Sequence, residues 1–216
     1  MSESAHNLKK IYVAGSQMWF EKKRGKDGRL RGYGCGVVAL SDLAQYKGYL
    51  NKPAGQSEYK ERIRKMEKEG IFVLPHLGIA PYYYPFLCNI YLRLHHIPLR
   101  LRMGWGVSGE YKNGAINIKK SIDSDTPVIF AAGPTLPFIF KKKSLPLYDM
   151  DRKSSGVRTK AHYMTVLGVL DTGDEIWLEI ASWGRQYSIK LKDLYGFSKY
   201  TFPFTTRFYR AVEKSR

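Results

Sequence analysis

Two hydrophobic rhythms divide the chain near its midpoint. In the first half apolar residues recur at helical spacing. Val37, Val38, Leu40, Leu43 and Ala44 fall close to one helical face, which predicts a helix over 35–47 with no interrupting proline. Tyr59, Ile63 and Met66, four and three apart, predict another over 58–69, capped by Ser57 and ended by Gly70. Pro81–Pro85 open a third, which carries Cys88, Ile90 and Leu92 to about His96. Before these, 11–14 reads as a first short strand and 21–31 as a charged, glycine-containing loop.

The second half alternates with a period of two, beginning at Leu99-Arg-Leu-Arg-Met103. A short helix is predicted over 115–122, before Pro127. Strand-like runs follow at 128–132, 137–141, 162–170, 175–182, 187–191 and 207–212. Asp171-Thr172-Gly173-Asp174 reads as the turn of a hairpin, and 151–160 as a polar, mobile stretch. Helices first and a mostly antiparallel sheet afterwards predict an α+β architecture, with a site in the cleft between the two halves.

Length and composition fit one domain spanning 1–216, with flexible ends at 1–10 and 213–216. Apolar residues make up 44% of the chain, and 16 Tyr and 10 Phe argue against disorder. Two cysteines form neither a disulfide framework nor a zinc motif, and no secretory signal stands at the N-terminus, so a cytoplasmic protein is expected. The most apolar stretch, 79–97, is broken by Pro81, Pro85, Arg93 and two histidines, so no membrane span is expected. A net charge of +17 favours an anionic partner, although the basic residues are dispersed and match no nucleic-acid recognition motif. Neither the adjacent His95 and His96 nor the carboxylates of 171–174 make a convincing metal site, and no cofactor is expected.

The chemistry centres on Cys35. It follows a glycine turn, Gly32-Tyr33-Gly34, and opens the helix over 35–47. A helix N-terminus favours an anion, and a thiolate is one. Gly34 and Gly36 are expected to leave room for a substrate backbone beside the sulfur. His162 starts an apolar strand 127 residues later, and Ser182-Trp183-Gly184 follows the next one. In these three motifs, and in its helix-then-sheet order, the sequence resembles the papain-like cysteine peptidase superfamily. Its compactness and the Gly-Cys-Gly resemble most the bacterial branch that includes the bacteriocin leader peptidases.

The resemblance implies a papain-like fold and hydrolysis, or transfer, at the acyl carbon of a peptide substrate. It makes Cys35 the nucleophile and His162 the base that lowers its pKa. The Cys35 N–H and Gln17, upstream, become the oxyanion donors. Trp183 shields the histidine. The residue before Ser182 is an asparagine or aspartate in the family and Ala181 here, so Ser182, Glu179, a backbone carbonyl or a water is expected to orient the imidazole in its place. That departure keeps alternatives open: a weakened or inactive member that binds a peptide or protein partner, or a basic nucleic-acid-binding protein.

Overall fold

The computed structural model describes residues 4–22, 25–106, 111–134, 143–201 and 205–213. Among them nine strands form one sheet, every pairing antiparallel. The strands are β1 (Ser4–Asn7), β2 (Leu99–Gly106), β3 (Val128–Ala132), β4 (Leu145–Tyr148), β5 (Ser154–Thr159), β6 (His162–Asp171), β7 (Ile176–Ser182), β8 (Arg185–Lys190) and β9 (Arg207–Glu213). Their order is β2-β9-β3-β6-β7-β8-β4-β5, with β1 continuing the β3 edge of β6. The helices are α1 (Lys26–Tyr33), α2 (Cys35–Tyr46), α3 (Gln56–Lys68), α4 (Tyr84–Leu94), α5 (Tyr111–Asp123) and α6 (Leu191–Ser198).

The α+β expectation holds, with one more layer than the sequence suggested. β3 reads Val-Ile-Phe-Ala-Ala and is buried at every position, so both faces of the sheet need cover. Ile129, Ala131, Tyr163 and Tyr209 pack in one core with the buried faces of α2, α3 and α4. Phe130, Met164, Val166 and Phe208 pack in a second core with Ile118 and Ile122 of α5 and Leu194 of α6. Alternation along β3, β6 and β9 sends successive side chains into these two cores. On α2, Val37, Leu40 and Leu43 are fully or almost fully buried, each contributing about 2 kcal/mol of transfer free energy.

Several local expectations are corrected. Residues 11–14 form no strand, and Ile11 is exposed; β1 lies earlier, paired with residues 168–171 of β6. The pairing is tight at Gly168, where a Cβ would stand 2.0 Å from the Asn7 side-chain amide and 3.0 Å from His6 O. The expected flexible N-terminal end is therefore pinned from residue 4, with Lys9 N–H also donating to Asp125 Oδ1 at 2.9 Å. At the other end Glu213 pairs with Leu99 and Lys47. Residues 1–3 and 214–216, and the run expected at 137–141, lie outside the described residues.

The loop expected at 21–31 contains α1. This helix buries only Leu30 and carries two glycines, so apolar patterning gives it little support. Ion pairs to α3 hold it: Arg64 grips Asp27 through two hydrogen bonds of 2.8 and 2.7 Å, and the buried Glu67 takes Arg29 at 2.6 Å and Lys26 at 3.3 Å. The cap of α3 is Gly55 rather than Ser57, and no side chain bonds the helix end. The polar stretch at 151–160 contains β5, an edge strand with alternating exposure that pairs with β4.

Candidate active site

Gly34 ends α1 and caps α2, so the chain kinks there and Cys35 becomes the first residue of α2. Gly34 has no room for a side chain, since a Cβ would stand 2.5 Å from Leu30 O. Gly36 faces Ile79 and Tyr84 at 3.1 Å from its absent Cβ. Both glycines serve packing of the protein on itself, not the substrate approach expected of them. Tyr84 O–H donates to Gly36 O at 2.8 Å, and Tyr163 O–H donates to Ile79 O at 2.9 Å. With the two tyrosine rings 4.4 Å apart, these bonds pin the start of α2 against the start of β6.

Cys35 is half-buried, and its Sγ faces the backbone N–H groups of Tyr163, Gly36 and Cys35 itself. Those donors favour the thiolate, yet burial outweighs them and pushes the thiol up. His162, next to Tyr163, is buried, and burial alone lowers it to about 3. Burial thus shifts both groups toward their neutral forms, against the pull of the helix N-terminus toward a thiolate.

Gln17, Cys35, His162, Ser182 and Trp183 all line one narrow crevice of about 10 Å³. It adjoins an open cleft of about 1230 Å³, whose walls share Gln17, His162 and Trp183. His162 Nε2 and Ser182 Oγ are 2.6 Å apart. The Trp183 ring stacks on the imidazole, centroids 4.4 Å apart and planes 20° from parallel. Of the two groups considered for orienting His162, Ser182 touches it. Glu179 lies elsewhere, its Oε2 2.9 Å from where a Gly168 Cβ would stand. Ala181 packs among Tyr12, Tyr46 and Leu167.

The backbone explains how Trp183 reaches the histidine. Ser182 pairs with Arg185, so Trp183-Gly184 is a two-residue hairpin turn between β7 and β8. Both take left-handed φ, 50° and 74°. That conformation is costly for a bulky residue, and strain of this kind gathers at functional sites. Gly184 N–H donates to Gly15 O at 3.0 Å, which docks the turn on the segment leading to Gln17.

Gln17 begins a 3₁₀ turn (Gln17–Trp19) capped by Ser16, whose hydroxyl accepts from Met18 N–H. One Nε2 hydrogen goes to Arg31 O at 3.0 Å, so the second remains for a ligand. Arg31 in turn donates to Phe20 O at 2.7 Å and to Met18 O, so α1 braces the whole segment. Beneath it, Asp42 of α2 accepts from Gly15 N–H and Tyr59 O–H, each at 2.7 Å. Burial raises Asp42 to about 7. Neither Asp42 nor the support of Gln17 by Arg31 was signalled by any sequence motif.

The remaining candidates lie apart. Cys88 is buried in α4, its thiol pushed up by burial. His95 pairs with Glu69 at 2.9 Å. Among the described residues no group of His, Cys, Asp and Glu is arranged to hold a metal, and no helix is long and apolar enough to cross a membrane.

No family model matches the sequence, and no curated protein matches it. Among solved structures the fold is similar to the crystal structure of UfSP from C. elegans, at 16% identity and a TM-score of 0.43, over 98% of this chain and 34% of that one. The chain thus spans about a third of the length of that structure.

Proposed function

We propose that the protein is a papain-like cysteine hydrolase acting on peptide bonds, with Cys35 as nucleophile and His162 as base. The observation that carries this reading is the convergence of Cys35, His162, Gln17, Ser182 and Trp183, from four distant parts of the chain, on one crevice at the floor of an open cleft.

In this reading Nε2–H of His162 donates to Ser182 Oγ, which leaves Nδ1 as the basic nitrogen. Because the resting pair is neutral, Nδ1 takes the thiol proton as Sγ attacks the carbonyl carbon. The oxyanion is met by the free Gln17 N–H and the Cys35 backbone N–H. The imidazolium gives its proton to the leaving amine, and a thioester remains on Cys35. His162 then deprotonates a water that attacks the thioester, and Sγ departs with the proton returned to it.

The test is labelling by a peptide vinyl sulfone, which alkylates a cysteine only when the site activates it. Labelling at Cys35 that is lost in Cys35→Ala and strongly slowed in His162→Ala supports the reading. Labelling no faster than that of a free thiol, and indifferent to His162, overturns it. A second reading is a binding module that has kept the fold without the chemistry. The burial of His162 and the raised Cys35 thiol favour it, and the second outcome would select it.

A further inference from the structure

The cleft above the crevice is lined by Lys22, Lys26, Arg29, Arg31 and Arg185, and among the described residues no carboxylate lines it. Glu67 bonds both Lys26 and Arg29, and its single charge offsets one of these two cations. Arg31 spends its hydrogen bonds on backbone carbonyls, which leave its charge in place. Lys22 and Arg185 are exposed. A net positive charge therefore remains on the lining of one concave surface. Arg185 follows the Trp183-Gly184 turn, and Lys22 follows the Gln17–Trp19 turn.

A cleft with walls of one sign concentrates field lines and the counter-charged ligand with them. Tyr33, Trp183 and Tyr187 line the same cleft and offer apolar contact to a chain laid along it. We propose that the substrate is an acidic peptide, with carboxylate side chains near the reacting carbonyl, selected by Arg185 and Arg31 together with Lys22. This rests on the reading of Cys35 and His162 as the reacting pair. A dispersed surface charge steers any polyanion, whereas charges flanking the reacting groups act on a segment already threaded past them.

Rates of Cys35 alkylation in the whole protein, located by mass spectrometry, test this with iodoacetate against neutral iodoacetamide. The anionic reagent is expected to gain several-fold over its ratio with a free thiol. That gain should shrink with added salt and in the Lys22→Gln/Arg185→Gln double variant. A ratio unmoved by salt and by both substitutions overturns the inference while leaving the nucleophile intact. If neither reagent reacts at Cys35, the nucleophile reading fails instead. Fluorescence anisotropy of a Glu-rich peptide on Cys35→Ala then decides. Binding weakened by the double variant supports the acidic-peptide cleft, and no binding overturns it. Tighter binding of a single-stranded RNA of equal charge, lost in the same variant, also overturns it, in favour of a nucleic acid.

Discussion

His162 and Ser182 meet across 2.6 Å, Nε2 to Oγ, joining the start of β6 to the end of β7. In the proposed mechanism this serine hydroxyl stands in for the side-chain amide absent at Ala181, from the next residue along. Ser182→Ala should therefore slow turnover about tenfold, the worth of one hydrogen bond of ~1.4 kcal/mol, with kcat falling more than KM changes. Ser182→Thr, which keeps the hydroxyl, should restore most of it. Peptide-hydrolysis kinetics on the three proteins check this.

Alkylation of Cys35 should climb with pH without a plateau near pH 6. Burial holds the thiol up and lowers His162 to about 3, so no ion pair stabilises a thiolate in mildly acidic solution. Iodoacetamide rates between pH 5 and pH 10 (about the range bracketing an ordinary thiol) measure it. A rate already maximal at pH 6 would contradict the neutral pair.

Two buried groups pull the stability in opposite directions with pH. His162, lowered to about 3, binds fewer protons folded than unfolded, so its contribution is present above about pH 6.5 and is lost as pH falls. Asp42, raised to about 7, binds more protons folded than unfolded, so its contribution is present in acid and is lost as pH rises through 7. Between about pH 4 and 6.5 the two slopes cancel. Asp42→Asn should unmask the histidine, making stability rise with pH in that window by at most ~1.4 kcal/mol per unit. His162→Gln should make it fall by the same slope. Urea midpoints at several pH values read both.

Gly184→Ala should destabilise the protein by about 1–2 kcal/mol, because φ is 74° and a Cβ favours the right-handed region. Activity should fall further than stability predicts, since the turn that carries Trp183 over His162 would shift. Thermal melts beside kinetics separate the two effects.

Gly168→Ala should loosen β1 on β6, since the new Cβ would displace the Asn7 side chain and press on His6 O at 3.0 Å. Amide exchange should then speed up at residues 4–7 and leave the β6–β7 pairing protected.

What the sequence disclosed follows from how each element is held. Helix α2 was legible because Val37, Leu40 and Leu43 are both its periodic positions and its buried ones. The hairpin of β6 and β7 was legible from apolar strands around Asp171–Asp174. Helix α1 was not, because Glu67 and Arg64 hold it across a gap that no periodicity records. Strand β1, Ser-Ala-His-Asn, has little strand character of its own and exists by pairing with β6. Helix α6 did leave a signal, with Leu191, Leu194 and Phe197 spaced three apart and buried, which reading 187–191 as the end of a strand obscured. At the candidate site, the five residues drawn from motifs line one crevice. Its charges were beyond motifs, since Lys22 and Arg185 become neighbours of the cleft only through folding.

The bond from Gly184 N–H to Gly15 O closes a loop of more than three quarters of the chain. Closing so long a loop is entropically costly and belongs late in folding, after the local helices and hairpins. The crevice at Cys35 cannot precede it, because Gln17 and Trp183 arrive on the two sides of that bond. In the proposed function, an unfinished chain has no assembled site, and the reactivity assigned to Cys35 comes only with the completed fold.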